Sequence, residues 1–401
     1  MTDAQFMQLA LRLARRGLGA TSPNPMVGAV LVKGGTIIGR GWHRRAGLPH
    51  AEIEALRDAQ KRGHNPKGAT LYVTLEPCST HGRTPPCTEA IIAAGIKRVV
   101  IGATDPNPKH AGKGFQIMRR AGVAVTRWGQ CPSSPNQKAK KKSGLDGVSP
   151  HQKLHQKLAD ECVKLNEAFN HWIVQRTPFV TVKAAMTLDG KIATASGESK
   201  WITGEKARAH GMQLRRNSDA ILVGINTILA DDPSLTARAK IADGGWKMAK
   251  PIRRIVLDSK ARTPLDAKVV SNEFAALTTI VVSKDAPKKR VAALAKRVNV
   301  VIAPASQSAI GMRWLLKKLG SENVTNLLVE GGGEVNASFL LGGFAQRVAF
   351  FYAPKILGGR DARKGVAGDG AKSLSEVIQL REIVWRKLGE DLLLTALVAK
   401  D

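Results

Sequence analysis

The chain has 401 residues, 43% hydrophobic and only 4% aromatic, with a formal net charge of +30. That length supports two or three domains with cores built mainly from Ala, Val, Leu and Ile, and no apolar run reaches the roughly 18 to 20 residues of a membrane span. Four cysteines exclude a disulfide scaffold, and the charge admits three readings: phosphate contacts on a nucleic acid, an anionic small molecule, or a general basic bias.

Residues 3–17 read as an amphipathic helix without a small-residue cleavage site, so a cytoplasmic protein is expected. Strands follow at 27–33 and 36–42 across Gly34-Gly35, a hairpin signal. Ile53, Leu56 and Ala59 give 50–62 helical spacing. A strand at 70–75, a helix at 88–94 ended by Gly95, a strand at 98–103, a helix at 115–121 and a strand at 123–127 complete an alternating pattern. This alternation predicts an α/β sandwich with a largely parallel sheet over 1–130.

Residues 131–150 are rich in Pro, Ser, Gly and Lys, include the run Lys138 to Lys142, and read as a basic linker. Helical periodicity over 151–175 suggests a connecting helix, so 131–175 is set apart from a second domain at 176–401. There, strands are expected at 179–185, 220–224, 253–258, 278–283, 298–303, 326–330, 347–352 and 391–398. Helices are expected at 204–217, 287–297, 311–320 and 334–341, and no GxGxxG follows the first strand. Cys131 and Cys162 read as unpaired thiols.

The chemistry concentrates in His50-Ala51-Glu52, Pro77-Cys78 and Cys87. One imidazole and two thiolates are three protein ligands, the number that leaves a catalytic zinc an open position for water. Glu52 is then placed to take the water proton and pass it to a leaving amine. A closed structural site with His43 or His81 as fourth ligand is the alternative, but structural sites favour close-spaced cysteine pairs and have no use for the glutamate. The pattern resembles the H-x-E…P-C-x-x-C signature of zinc deaminases, with eight residues between the cysteines instead of two.

Ahead of this motif stands Ser22-Pro23-Asn24-Pro25-Met26-Val27-Gly28-Ala29-Val30, in which Asn24 offers a donor and an acceptor to a polar ring. Together with the run Thr70 to Cys87 and Asp105-Pro-Asn-Pro108, it is similar to the deaminase half of the bifunctional deaminase–reductases of riboflavin biosynthesis. That family carries an eight-residue spacer. Its resemblance implies that Ser79–Pro86 forms a loop holding a ribose phosphate, with Gly82 and Arg83 suited to the task. Where the family usually has histidine after Pro-Cys-Ser, this chain has Thr80, with His81 next.

Four stretches in the second half resemble the reductase half of the same family: Thr181 to Ala193, Ser199 to Thr203, Asp231 to Arg238, and Glu330-Gly331-Gly332-Gly333. Thr203 reads as a helix N-cap, and the glycine-rich turn suits a phosphate. The resemblance implies a cytidine-deaminase-like three-layer α/β/α domain joined to a dihydrofolate-reductase-like α/β domain, one zinc ion, and NADPH as hydride donor. It implies nucleotide contacts at Ala185, Trp201, Thr227, Asp231, Ser259 and the run Gly332, Gly333, Glu334, Val335, Asn336, Ala337 and Ser338. Substrate contacts are implied at Ser199, Arg215, Leu235, Arg238 and Glu330, with Arg215 and Arg238 as a guanidinium pair for phosphate. Lys183 and Asp231 are candidates for polarising or protonating the sugar end.

The expected partners are therefore small pyrimidine ribose-phosphates. A nucleic-acid partner is disfavoured, since no aromatic-and-basic stacking platform accompanies the charge. An antiparallel edge in the second domain is expected to pair copies into a homo-oligomer.

Overall fold

The computed structural model describes residues 1–81, 85–108, 110–128, 150–240, 246–304 and 310–399. The chain forms two compact units, Met1–Gln175 and Arg176–Asp401. The linker segment 131–149, with Cys131 and the lysine run, lies outside the described residues.

The first unit contains α1 (Asp3–Ala14), β1 (Gly28–Lys33), β2 (Thr36–Trp42), α2 (Ala51–Lys61), β3 (Thr70–Val73), α3 (Cys87–Ala93), β4 (Arg98–Ile101), α4 (Lys113–Arg120), β5 (Ala124–Arg127), α5 (Pro150–Leu165) and α6 (Glu167–Gln175). Its sheet has the order β2-β1-β3-β4-β5. Gly34 and Gly35, at φ 55° and 77°, make the tight turn that reverses the chain between β1 and β2. The crossover through α2 then sets β3 antiparallel to β1, while β3, β4 and β5 run parallel. The sheet is thus mixed and not largely parallel, because the hairpin turns β1 against both of its neighbours.

Small residues bring helices close to this sheet. A Cβ added at Gly28 would lie 2.0 Å from the Ala10 carbonyl of α1. One added at Gly41 would lie 2.2 Å from the Ala51 carbonyl of α2. The segment expected as one connecting helix is two. The chain breaks at Asn166, whose side chain accepts from Met26 N at 2.7 Å and donates to Met26 O at 2.9 Å. α5 belongs to the first unit and adds Leu158 and the free, buried Cys162 to its core.

The second unit contains β6 (Phe179–Thr187), β7 (Lys191–Ala193), α7 (Glu205–Arg216), β8 (Ala220–Gly224), α8 (Ile225–Asp231), β9 (Ala237–Lys240), β10 (Trp246–Lys250), β11 (Arg253–Leu257), α9 (Lys268–Ser271), β12 (Thr278–Val282) and α10 (Lys288–Ala295). It continues with β13 (Asn299–Ile302), α11 (Met312–Ser321), β14 (Asn326–Val329), α12 (Gly333–Leu340), β15 (Arg347–Ala353), β16 (Arg363–Lys364), β17 (Leu380–Leu388) and β18 (Asp391–Val398). Nine strands form one sheet in the order β13-β12-β11-β8-β14-β6-β15-β18-β17. β13 through β15 are all parallel, and β18 and β17 add an antiparallel edge.

Parallel strands covered on both faces read as continuous apolar runs. Ala220–Gly224 is buried throughout, as is Thr278–Val282. Phe339 on α12 is fully buried; a side chain of that size contributes about 1.5–3 kcal/mol by leaving water. The expected N-cap Thr203 does not cap α7. Gly204 does, its N–H donating to Asp391 Oδ2 at 2.7 Å, while the Thr203 carbonyl accepts from Arg208. No helix among the described residues is long and apolar enough to cross a membrane.

Candidate active sites

In the first unit the three expected ligands come from three places. His50 precedes the first turn of α2, Cys78 follows β3, and Cys87 opens α3. His50 Nδ1 lies 3.3 Å from Cys87 Sγ and 3.5 Å from Cys78 Sγ, and all three ligand atoms lie within 4.8 Å of one another. Zn–S bonds of about 2.3 Å and Zn–N bonds of about 2.0–2.1 Å, set tetrahedrally, separate ligand atoms by roughly 3.6 Å, so the donor set fits zinc.

Hydrogen bonds from Cys87 and then His50 hold the Cys78 thiol down to about 4. The Cys87 thiol is pushed up by its bond to Cys78 and by burial. Binding a metal requires both thiols to be deprotonated. Among the described residues, neither proposed fourth ligand joins this group. His81 is exposed and pairs with Glu89 at 3.2 Å.

Glu52 is 3% exposed, in the first turn of α2. Burial pushes its carboxyl up to about 7, with His50 pulling the other way. A carboxyl in that range can take a proton and return it near neutral pH. Its position depends on the bare backbone of β2, because Gly39 and Gly41 let the first turns of α2 sit directly on the strand.

His43 has a role that the sequence alone does not show. Its ring is buried and stands edge-on to His50, centroids 5.3 Å apart. Nδ1 lies 3.1 Å from the Pro49 carbonyl, to which it donates. Nε2 is then the acceptor for the Asn24 amide at 3.2 Å, which fixes the orientation of Asn24. Glu76 is a second such residue. Its buried carboxylate accepts from the backbone N–H groups of Asp105, Gly112 and Gly114 at 3.1, 3.1 and 2.9 Å, tying the segment that carries Asp105-Pro-Asn-Pro108 to the cysteine loop. Only long-range contacts reveal either role. Thr80 Oγ1 approaches His110 Nδ1 at 3.5 Å. Gly82 and Arg83 lie outside the described residues.

In the second unit the expected residues gather at the carboxyl ends of neighbouring parallel strands, the usual ligand crevice of such sheets. Lys183 and Ala185 are on β6, Thr227 and Asp231 on α8 after β8, Ser259 after β11, and Glu330 after β14. Arg215 of α7 donates from Nε and Nη2 to the two oxygens of Glu330 at 2.9 and 2.8 Å, and Lys183 Nζ lies 3.7 Å from the same carboxylate. These two cations hold the Glu330 carboxyl down to about 2, against the effect of burial. Ser199 Oγ donates to Asp231 Oδ1 at 3.1 Å.

Arg215 therefore faces a carboxylate, and Arg238 stands exposed on β9. Leu235 is buried, with φ 49°. Trp201 is 68% exposed, with the Arg208 guanidinium 4.7 Å over its ring. Gly332 caps α12, and where its Cβ would stand nothing lies within 4 Å. That opening, beside the N–H groups of a helix start, fits the phosphates of a dinucleotide. Behind it, Asn336 is buried and donates to Gly365 O at 2.8 Å. Ala337 is buried too, whereas Glu334 and Ser338 are exposed.

Comparison with known proteins covers both units. Residues 1–103 match the cytidine and deoxycytidylate deaminase zinc-binding region, and residues 178–394 match the RibD C-terminal domain. The riboflavin biosynthesis protein RibD of Actinobacillus pleuropneumoniae is 41% identical over 398 residues, covering 99% of this chain and 96% of that protein. RibD of Escherichia coli K12 is 36% identical over 402 residues, covering 98% and 99%. Among solved structures, Acinetobacter baumannii RibD superposes with a TM-score of 0.80 at 33% identity, covering 99% of each chain. The diaminohydroxyphosphoribosylaminopyrimidine deaminase/5-amino-6-(5-phosphoribosylamino)uracil reductase of Thermotoga maritima gives 0.77 at 34%, covering 99% of this chain and 98% of that one.

Proposed function

The chain belongs to the RibD family of bifunctional riboflavin-biosynthesis enzymes, and from that premise we propose which of its residues carry each reaction. The enzyme hydrolytically deaminates 2,5-diamino-6-ribosylamino-4(3H)-pyrimidinone 5′-phosphate, then reduces the ribosyl side chain to give 5-amino-6-ribitylamino-uracil 5′-phosphate. It uses zinc for the first step and NADPH for the second.

In the deaminase, His50, Cys78 and Cys87 hold the zinc, which when bound lowers the pKa of water and positions it. Glu52 takes the water proton and delivers it to the 2-amino group as ammonia leaves. Asn24, its amide set by His43, orients the pyrimidine, and Arg83 grips the phosphate. The observation that carries this reading is the buried Glu52 beside three convergent ligand atoms.

In the reductase, NADPH when bound supplies hydride to C1′ of the opened sugar. The opening at Gly332 and the start of α12 receive its phosphates, with Ala185, Trp201, Thr227, Asp231 and Ser259 along the nucleotide. Lys183, its charge balanced in part by Glu330, polarises or protonates the sugar end, and Asp231, which accepts from Ser199, is the second polar candidate for that role. Leu235, through its backbone, and Arg238 contact the substrate, while Arg215 and Glu330 form the wall.

A coupled assay tests both assignments: ammonia release and NADPH oxidation are followed separately from the pyrimidine nucleotide. Ammonia without NADPH consumption overturns the reductase assignment. The protein is further proposed to be cytoplasmic, to act on small phosphorylated pyrimidines and not on nucleic acid, and to pair through β17. That strand ends the sheet order among the described residues and exposes Ile383, Val384 and Trp385. Sedimentation of Trp385→Lys as a monomer would support the pairing; an unchanged oligomer would overturn it.

A further inference from the structure

Arg254, on β11, is 1% exposed. Its Nη1 donates to Ser234 O at 3.1 Å and Asn272 Oδ1 at 3.2 Å, and its Nη2 donates to Val269 O at 3.2 Å and to Phe274 O. All four acceptors are neutral. Burial draws the guanidinium down to about 10, so it remains charged at neutral pH. Glu273 acts on this cation only through space, and taking a charge out of water costs free energy that its contacts must offset.

Ser234 lies in the segment 232–238, which follows α8 and carries Leu235 and Arg238. Two more guanidinium groups grip the same segment. Arg215 Nη1 donates to Thr236 O at 3.2 Å, and Arg216 Nη1 donates to Arg238 O at 3.0 Å. Three guanidinium groups thus hold the backbone carbonyls of 234, 236 and 238, on either side of the left-handed Leu235. Upstream, Asp232 accepts from Lys268 N at 2.8 Å, and its carbonyl accepts from Lys268 Nζ at 3.2 Å. Asp232 and Leu235 have φ of 38° and 49°. Non-glycine residues keep such conformations only where surrounding contacts enforce them, and these conformations cluster at ligand sites.

We infer that Arg254 is a positioning residue for the reductase: it fixes the backbone at Ser234 so that Leu235 and Arg238 meet the phosphorylated substrate, which it does not itself touch. The inference rests on the assignment of Leu235 and Arg238 as substrate contacts. Arg254 spans from the sheet to two separate segments, 234 and 269–274, so no local change in the loop replaces it. Lysine in its place keeps the charge but has no planar fork with which to reach four acceptors.

The test uses the full chain carrying Arg254→Met, Arg254→Lys or Arg238→Ala, with the deaminated nucleotide as substrate. Arg254→Met is expected to raise the reductase KM about tenfold or more while kcat stays within about threefold, since small misplacements of positioning groups have effects of this order. NADPH affinity and ammonia release stay at wild-type values, and Arg254→Lys recovers part of the loss. Amide exchange over 232–238, read by mass spectrometry, accelerates in Arg254→Lys, and this readout decides between the outcomes if the methionine variant does not fold. Wild-type KM and exchange in the Arg254 variants, with a raised KM in Arg238→Ala, overturn the positioning role alone. Wild-type KM in all three overturns the substrate assignment itself. A joint fall of kcat, NADPH affinity and melting temperature reduces Arg254 to a structural residue and also overturns the inference.

Discussion

Arg215 and Glu330 meet through two parallel hydrogen bonds, 2.9 Å from Nε to Oε1 and 2.8 Å from Nη2 to Oε2, with their side chains only 14% and 10% exposed. The pair joins α7 to the end of β14, among the residues proposed for the reductase site. Removing one member strands the other charge in a dry environment, which costs about 3–5 kcal/mol for a buried pair. With this residual exposure, Glu330→Ala is expected near the lower end, about 3 kcal/mol, measured by urea unfolding. NADPH oxidation should be lost while ammonia release continues. A variant of wild-type stability would mean that the pair is energetically idle.

The same carboxylate gives stability a pH signature. Its folded pKa, about 2, lies below the ordinary 4.5. The protonated form is therefore disfavoured by folding, and the stabilisation is fully present above about pH 4.5. It is lost progressively as pH falls from there towards 2, and amounts to about 3 kcal/mol at the high-pH plateau. Other carboxylates titrate in this window, so the useful quantity is wild type minus Glu330→Gln. That difference should shrink between about pH 4.5 and 2; a pH-independent difference would rule out the linkage.

Much of this was legible from local sequence. The Gly34-Gly35 turn, the strands expected at 220–224 and 391–398, and, to within one residue, the strand expected at 278–283 stand where patterning put them. The convergence of His50, Cys78 and Cys87 was legible because residue type and spacing together single them out. The hidden features depend on distant partners. β17 is an exposed edge strand without a buried face, and so has no periodicity to read. The break at Asn166 follows from a bond pair to Met26, 140 residues away in sequence. His43 and Glu76 become visible only when loops far apart in sequence meet. Arg215 looked like a free phosphate clamp until Glu330, 115 residues on, was placed beside it.

Gly41 connects the packing of the first unit to its chemistry. A methyl group there would meet the Ala51 carbonyl at 2.2 Å and the Ala55 nitrogen at 2.4 Å, both backbone atoms that cannot swing away. Gly41→Ala must therefore lift the first turn of α2 from β2, and overpacking of this kind costs about 1–3 kcal/mol. His50 and Glu52 ride on that turn. The expected result is weaker zinc retention on dialysis and slower ammonia release, with reductase turnover of the deaminated substrate unchanged. Wild-type zinc content and ammonia release would show that the strand yields instead of the helix.

Glu52→Gln separates catalysis from metal holding. Glutamine keeps the shape of the buried side chain but cannot carry a proton between water and the leaving amine. The loss should be of the order of 10²–10⁴ in ammonia release, the usual contribution of a positioned acid–base group. His50, Cys78 and Cys87 are untouched, so zinc content by elemental analysis should remain that of the wild type. NADPH oxidation on the deaminated intermediate should continue as before. Loss of zinc with the substitution would give the carboxylate a part in holding the metal, and undiminished ammonia release would move the proton shuttle to another group.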